Sequence, residues 1–142
     1  MFNTNTNELK RQVWLKKTLA TLPAGSRILY AGAGELKNRQ HCGHLEYVSQ
    51  DFGQYEGQQG GAPADGLQTK SWDTSRIDLV SDITAIPAPD ASFDAILCSE
   101  VLEHVPEPTH ALDEFARLLK PGGVVILTAP FASNVRMATG YF

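Results

Sequence analysis

Hydrophobic and polar positions follow two different periods along this chain, and the two periods alternate. Short apolar runs bounded by Gly, Pro and Asp are typical of buried β-strands. They predict five strands, at residues 28–31, 45–50, 76–80, 93–98 and 124–128. Apolar residues at helical spacing predict helices over residues 8–22 and 109–119, and we also expect a shorter helical stretch over residues 35–41.

The alternation of strands with helices predicts an α/β domain. Strands joined through helices need crossover connections, which produce a largely parallel sheet with helices on both faces. The fifth run, residues 124–128, is apolar throughout, so we expect a strand that is covered on both faces. The length of 142 residues fits a single domain.

Composition restricts the partner and the compartment. The formal net charge of −4 indicates no general affinity for nucleic-acid backbones or anionic membranes. Two cysteines, Cys42 and Cys98, are too few for a disulfide framework and favour a reducing compartment. The polar N-terminus lacks a secretion-signal pattern, and no apolar run approaches the ~20 residues of a membrane span. We therefore expect a cytoplasmic protein with no membrane partner.

A glycine bend and an isolated acid form the strongest chemical pattern. Gly32 and Gly34 follow the first strand, and glycines there let the backbone turn tightly and a ligand lie against it. Asp51 ends the second strand, at the place where doubly wound nucleotide-binding sheets hold ribose hydroxyls with a carboxylate. Open parallel sheets bind ligands at these carboxyl ends of strands.

Each of these features also has a purely structural interpretation. A Gly-x-Gly sequence is often only a turn, Asp51 could be a solvated loop acid, and Asp82 could cap the turn that follows it. His104 follows the fourth predicted strand and could act as a base, but we favour a structural role. In combination, the glycines and acids favour a binding site.

Two other segments have weaker patterns. His41, Cys42 and His44 invite a metal interpretation, but they lack a fourth ligand nearby, so we predict an ordinary loop and no metal site. Residues 52–66 are rich in glycine and glutamine without apolar periodicity, and we expect a long mobile loop there.

The order of motifs resembles that of class I S-adenosylmethionine-dependent methyltransferases of the small-molecule type. The resemblance covers roughly residues 25–131, and it implies a Rossmann-like, doubly wound sheet with strand order 3-2-1-4-5. The motifs that carry it are residues 28–34 (ILYAGAG), Asp51, residues 82–84 (DIT), 93–96 (FDAI), 100–105 (EVLEHV) and 118–123 (LLKPGG).

The resemblance implies S-adenosylmethionine as the cofactor and a role for each motif. The glycine bend leaves room for the methionine end, whose carboxylate meets N–H groups at the start of the following helix. Asp51 accepts from the ribose diol, Asp82 accepts from the adenine amine beside the backbone of Ile83, and the backbone of Ser99 approaches the sulfonium. The residues expected to bind the cofactor are Ala31, Gly32, Ala33, Gly34, Asp51, Phe52, Asp82, Ile83 and Ser99.

Two positions depart from the family pattern. Tyr30 stands where the family usually has an acid that fixes the glycine loop, and Leu36 stands where a third glycine allows helix and cofactor to approach closely. Tyr30 supplies no charge and Leu36 adds bulk. These two changes bear on cofactor affinity, although the backbone donors remain.

The C-terminal end departs as well. The family's sheet normally gains an antiparallel hairpin beyond the fifth strand, for which residues 131–142 are too few. We expect a shortened single domain over residues 1–142 that lacks this hairpin. Its fifth strand would then be an exposed edge through which the chain self-associates.

We predict an enzyme that transfers a methyl group to a small-molecule acceptor. Alignment provides most of the catalysis of such a displacement, so no catalytic residue is assigned. Enzymes that methylate amino groups of nucleic-acid bases carry an Asn/Asp-Pro-Pro-aromatic run where residues 99–102 read SEVL, so we expect no nucleic acid. One alternative is a degenerate, non-catalytic binding module. A nicotinamide-dependent oxidoreductase ranks last, because its fingerprint needs a glycine where Lys37 stands.

Overall fold

The five predicted strands form one sheet with a helix against each face in the computed structural model, which describes residues 4–34, 36–53 and 76–130. The strands are β1 (Arg27–Ala31), β2 (Glu46–Asp51), β3 (Leu79–Val80), β4 (Phe93–Ser99) and β5 (Leu119–Thr128). The α-helices are α1 (Thr4–Ala20) and α2 (Pro108–Leu118), and single 3₁₀ turns cover Arg39–His41 and Leu102–His104.

The strand order is β3-β2-β1-β4-β5, and every neighbouring pair is parallel. This confirms the predicted Rossmann-like sheet. Because the strands run in one direction, their carboxyl ends meet at one edge of the sheet. The strand order reverses at β1, because β1 pairs with β2 on one side and with β4 on the other. This is the topological switch point, where sheets of this kind bind ligands.

Alternate residues of β1 enter two separate hydrophobic clusters, as the alternation of side chains along a strand requires. Ile28 packs in a cluster with Leu15 and Leu19 of α1. Leu29 packs in the opposite cluster with Phe115 of α2 and with Ile96. All of these side chains are almost fully buried, and each burial of this kind contributes about 1.5–3 kcal/mol. The two helices thus cover the two faces of the central strands.

The predicted helical stretch over residues 35–41 is wrong. Among the described residues of this stretch, the backbone turns and then forms only the single 3₁₀ turn Arg39–His41. Leu36 has a φ of 60°, a left-handed conformation that a right-handed helix cannot include. The α-helix start that was expected to present N–H groups after Gly34 is therefore absent from the described part of this stretch. Glu35 lies outside the described residues.

The third strand is shorter than the predicted run of residues 76–80. Only Leu79 and Val80 join the ladder, opposite Gln50 and Asp51. The side chain of Asp78 occupies the preceding position, where its Oδ2 accepts hydrogen bonds from the Ser49 backbone N–H (2.8 Å) and the Ser49 hydroxyl (3.0 Å). The Ser49 N–H thus donates to a side chain of this segment instead of continuing the backbone pairing of β2 with β3.

The fifth strand begins earlier than predicted and is not covered on both faces. Leu119 already pairs with Phe93, directly after α2. Val124, Val125 and Leu127 are 38–45% exposed, and β5 is the last strand of the sheet, so no described strand pairs with its outer edge. The expectation of burial on both faces is therefore wrong for the described chain.

Some expectations concern residues that the structure does not describe, or properties that a fold alone does not test. Residues 54–66 of the predicted glycine-rich loop lie outside the described residues. Within the described ranges, no helix is both long and apolar enough to cross a bilayer. The single shortened domain and the cytoplasmic location stay predictions.

Candidate functional site

A cavity of about 720 Å³ opens at the carboxyl ends of the central strands. Its volume lies within the range of roughly 300–1,000 Å³ that is usual for small-molecule sites. Ala31 and Ala33 do not line it and are buried in the core. The other seven residues predicted to bind the cofactor all line this cavity: Gly32, Gly34, Asp51, Phe52, Asp82, Ile83 and Ser99.

The glycine bend is locked to the neighbouring strand β2. Gly32 has a φ of 71°, and a Cβ atom at this position would lie 2.5 Å from Cγ2 of Val101. The Gly32 N–H donates to Oε1 of Gln50 (3.1 Å), and the Ala33 N–H donates to the Gln50 carbonyl (2.8 Å). Only glycine fits both the conformation and the space at position 32.

Gln50 is a buried polar residue that the sequence analysis did not select. Its Nε2 donates to the Ser81 carbonyl (2.7 Å), while its Oε1 accepts from Gly32. The side chain is 1% exposed and so ties the loops after β1 and β3 together inside the protein. The available signal was an amide in a buried strand, since a buried polar group requires partners.

Asp51 supplies an unpaired acceptor at the end of β2. The residue is 7% exposed, and its buried Oδ2 has no hydrogen-bond partner among the described residues. The Asp51 backbone carbonyl accepts from the Ser81 N–H (3.0 Å), which fixes the residue beside the cavity. A buried carboxylate oxygen without a donor is costly, by about 1–3 kcal/mol or more. This atom is therefore suited to the donors of a ligand.

Asp82 is exposed and already hydrogen-bonded. Its Oδ1 accepts from the Thr84 N–H (2.8 Å) and the Thr84 hydroxyl (2.6 Å), and these bonds hold the pKa of Asp82 below its usual value. Oδ1 of Asp82 thus caps the turn that follows it, and the same residue also lines the cavity. Its neighbour Ile83 is 9% exposed and packs in the core cluster on the α2 side.

The loop after β4 forms a further part of the wall. The hydroxyls of Ser99 and Thr128 share a hydrogen bond of 2.7 Å. Glu100 has a φ of 57°, a strained conformation for a residue with a side chain, and its N–H donates to the Thr128 carbonyl (2.9 Å). Strain of this kind concentrates at ligand sites.

Helix α1 provides a wall of the cavity that the sequence analysis missed. Glu8, Arg11 and Gln12 all line it. Arg11 Nη1 forms an ion pair with Glu100 Oε1 at 2.5 Å, and both side chains are about one quarter exposed. Glu100 Oε2 is buried and has no partner among the described residues. The long-range pairing of α1 with the loop after β4 leaves no trace in local periodicity.

The histidines and Cys42 do not converge on a metal. The Cys42 Sγ faces the Asn38 carbonyl (3.5 Å), while Nε2 of His44 faces the Leu19 carbonyl (3.2 Å). Burial raises the pKa of Cys42 to about 11, which keeps the thiol protonated. Within the described ranges, no group of three or more His, Cys, Asp and Glu side chains is arranged to hold a metal ion. His104 lines the cavity, but its side chain is 79% exposed.

Comparison with known proteins shows a similarity to methyltransferases. The family model described as "Methyltransferase domain" matches residues 60–127. The ubiquinone biosynthesis O-methyltransferase of Xanthomonas oryzae pv. oryzae is 44% identical over 63 residues, which are 44% of this chain and 26% of that protein. The chain is thus similar in sequence and in fold to the class I S-adenosylmethionine-dependent methyltransferases. S-adenosylmethionine is the cofactor of this family.

Solved structures agree with the methyltransferase fold. A phosphoethanolamine N-methyltransferase of Haemonchus contortus, solved with S-adenosylhomocysteine, has a TM-score of 0.61 at 17% identity, over 84% of this chain and 28% of that one. The [4+2]-cyclase SpnF has a TM-score of 0.60 at 26% identity, over 82% and 44%. The chain thus spans less than half the length of each of these proteins.

The two departures from the methyltransferase pattern have structural counterparts. Tyr30 is buried, and its hydroxyl accepts from Asn38 Nδ2 (2.9 Å), which ties the segment after the bend to β1. Burial raises the pKa of Tyr30, so the side chain is neutral and supplies no charge. Leu36 has a left-handed φ of 60°, a conformation that glycine adopts without strain.

Proposed function

We propose that this chain binds S-adenosylmethionine in the cavity at the carboxyl ends of β1, β2 and β4 and transfers its methyl group to a small molecule. The observation that carries this proposal is the buried, unpaired Oδ2 of Asp51 on the cavity wall. A carboxylate can accept hydrogen bonds from both hydroxyls of a ribose diol. Binding would therefore satisfy an atom that the protein leaves unsatisfied.

The remaining lining residues fit the other parts of the cofactor. The bend at Gly32 and Gly34 has no side chain to exclude the methionine end. Asp82 and Ile83 line the cavity and would face the adenine, and Phe52, which is 50% exposed, supplies an apolar side chain to the lining. When bound, S-adenosylmethionine supplies an electrophilic methyl group on a sulfonium. The protein positions the acceptor in line with that group, an effect worth on the order of 7–11 kcal/mol when alignment is ideal.

We propose an oxygen acceptor on a small molecule rather than on a nucleic acid. The name of the Xanthomonas relative supports transfer to oxygen. The acceptor would occupy the part of the cavity between α1 and the loop after β4, where Arg11, Glu100 and His104 lie. A hydroxyl acceptor must lose its proton, and Glu100 and His104 are the titratable groups of this loop that line the cavity.

Calorimetric titration with S-adenosylhomocysteine tests the binding step. We expect saturable binding, and we expect Asp51→Asn to weaken it about 100-fold, because Asn keeps the shape but loses the charge and one acceptor. Asp113→Asn, at an exposed position of α2, is the matched control and should bind normally. Equal affinity of all three proteins would contradict the proposal.

The second candidate is a module that binds the cofactor without methyl transfer. Two features favour this candidate. Leu36 has a left-handed backbone conformation that is strained for a residue with a side chain, and Asp82 Oδ1 already accepts a hydrogen bond from Thr84. The likeness to a [4+2]-cyclase illustrates that one fold serves unlike chemistries. Binding of S-adenosylhomocysteine with no methyl transfer to any small hydroxyl compound in a screen would favour this candidate.

We also propose that the chain self-associates through β5. The exposed Val124, Val125 and Leu127 support this, together with an outer edge that no described strand covers. Light scattering across a concentration series should show association, and Val125→Lys should reduce it. A monomer at high protein concentration would contradict this proposal.

A further inference from the structure

Helix α1 has two apolar sides, and only one of them faces the protein. Leu15 and Leu19 are fully buried against the sheet. Leu9, Val13 and Trp14 are 62%, 54% and 48% exposed. A helix that only packs on a sheet has one apolar stripe and a polar opposite face. The exposed apolar side therefore calls for a separate explanation.

The exposed apolar residues lie among lysines. We define the α1 outer face as Leu9, Lys10, Val13, Trp14, Lys16 and Lys17, all of which are exposed. None of the three lysines forms an ion pair within the described part of the chain. Glu8 is the only acid of α1, and it lines the cavity at the carboxyl ends of the strands. An adjoining groove includes Lys37, Gln40 and His41.

The charge of the whole chain conceals this concentration of positive charge. Residues 1–45 contain seven Lys and Arg against two Glu, whereas residues 46–142 contain five against fourteen Asp and Glu. The two parts therefore have formal charges of +5 and −9. The expectation of no affinity for anionic membranes rested on the net charge of the whole chain, −4. A membrane surface, however, interacts with the charge of the part of the protein that faces it.

We propose that the α1 outer face docks this protein on an anionic membrane surface. Lysines beside Leu, Val and Trp are the composition of helices that lie in the plane of a lipid interface. The lysines complement the anionic headgroups, and the apolar side chains with the Trp14 indole enter the boundary below them. An acidic protein or a nucleic acid would match the lysines but leave Leu9 and Val13 unexplained. Docking there would place the cofactor cavity, which α1 also lines, next to the lipid.

Co-sedimentation with lipid vesicles tests this proposal. We expect the full chain to bind phosphatidylcholine vesicles that contain about 30 mol% phosphatidylserine more tightly than pure phosphatidylcholine vesicles, and we expect binding to fall as salt rises. Each lysine should contribute about fivefold in affinity, so the variant Lys10→Gln, Lys16→Gln, Lys17→Gln should bind about 100-fold more weakly. Lys120→Gln, in β5, is the matched control and should bind normally.

The fluorescence of Trp14 provides an independent readout. The chain has two tryptophans, so the Trp72→Phe variant leaves Trp14 as the single reporter. Its emission should shift to shorter wavelength with the anionic vesicles only. Equal binding to both vesicle types, or no loss in the triple lysine variant, would overturn the proposal. So would a lysine-dependent self-association without lipid, or tighter binding to an oligonucleotide than to vesicles.

Discussion

The ends of β2 and β3 each present an acid to the same cavity, and the two acids are in opposite states. Asp51 is 7% exposed and has a buried oxygen without a partner. Asp82 is exposed, and Thr84 already donates two hydrogen bonds to one of its oxygens. An acid that the fold leaves unsatisfied has a larger gain available from a ligand than an acid that the fold has already paired. We therefore propose that Asp51 contributes most of the ligand affinity and that Asp82 mainly stabilises its local turn.

The largest expected effect concerns the bend that holds the Asp51 region in place. Gly32→Ala should lower the free energy of unfolding by about 3 kcal/mol, because it adds left-handed strain and a clash with Val101. Gly25→Ala is the control, since Gly25 has a φ of 82° but nothing within 4 Å of the added Cβ, and it should cost only about 1 kcal/mol. Urea unfolding measures both. Equal losses would mean that the contact with Val101 is unimportant.

The two acids can then be compared directly by ligand binding. Asp51→Asn should weaken S-adenosylhomocysteine about 100-fold, whereas Asp82→Asn should weaken it less than about fivefold, because the amide oxygen still accepts from Thr84. Titration calorimetry of both variants under one set of conditions gives the ratio. A larger loss at Asp82 would reverse the assignment.

Gln50 links the two regions through one side-chain hydrogen bond to each, and its loss should destabilise the fold. Gln50→Leu leaves the Gly32 N–H and the Ser81 carbonyl without this partner, which should cost about 2 kcal/mol of unfolding free energy. The exposed Gln40→Leu loses only a long bond to the Lys37 carbonyl (3.3 Å) and should change stability by less than about 0.5 kcal/mol. Thermal unfolding distinguishes the two, and similar values would show that Gln50 does not connect the loops.

The smallest effect is the pH dependence of the Asp82 turn. Its pKa is lowered in the folded state, so the stability it adds is present above the unfolded pKa and is lost as the pH falls through the folded value. Thr84→Val should cost a few tenths of a kcal/mol near neutral pH, and the difference from the unmodified protein should shrink as the pH falls below about 4. Urea unfolding at a series of pH values measures this. A difference that grows in acid would contradict the assignment.

The central strands and α2 follow from the sequence because their patterns are local. Residues 28–31 form an apolar run, residues 93–98 form one that only Asp94 interrupts, and each differs from its observed strand by a single residue. The spacing of Leu112, Phe115 and Leu119 likewise placed α2 within one residue of its observed bounds. The resemblance to methyltransferases supplied the strand order, which periodicity alone does not determine.

The features that the sequence did not reveal depend on distant contacts. The apolar run of β5 has the composition of a covered strand, but its burial depends on its place at the end of the sheet. The stretch after Gly34 is compatible with a helix until Leu36 adopts its left-handed φ. Gln50 and Arg11 enter the site through partners 18 and 89 residues away in the chain. Periodicity records the neighbours in sequence, and these partners are neighbours only in the folded chain.

The most direct test of the account is a crystal structure of the chain with S-adenosylhomocysteine. We expect the adenosyl group in the cavity at the ends of β1, β2 and β4, with both ribose hydroxyl oxygens within about 3.2 Å of the Asp51 carboxylate. A ligand bound elsewhere, or a ribose that makes no hydrogen bond to Asp51, would contradict it.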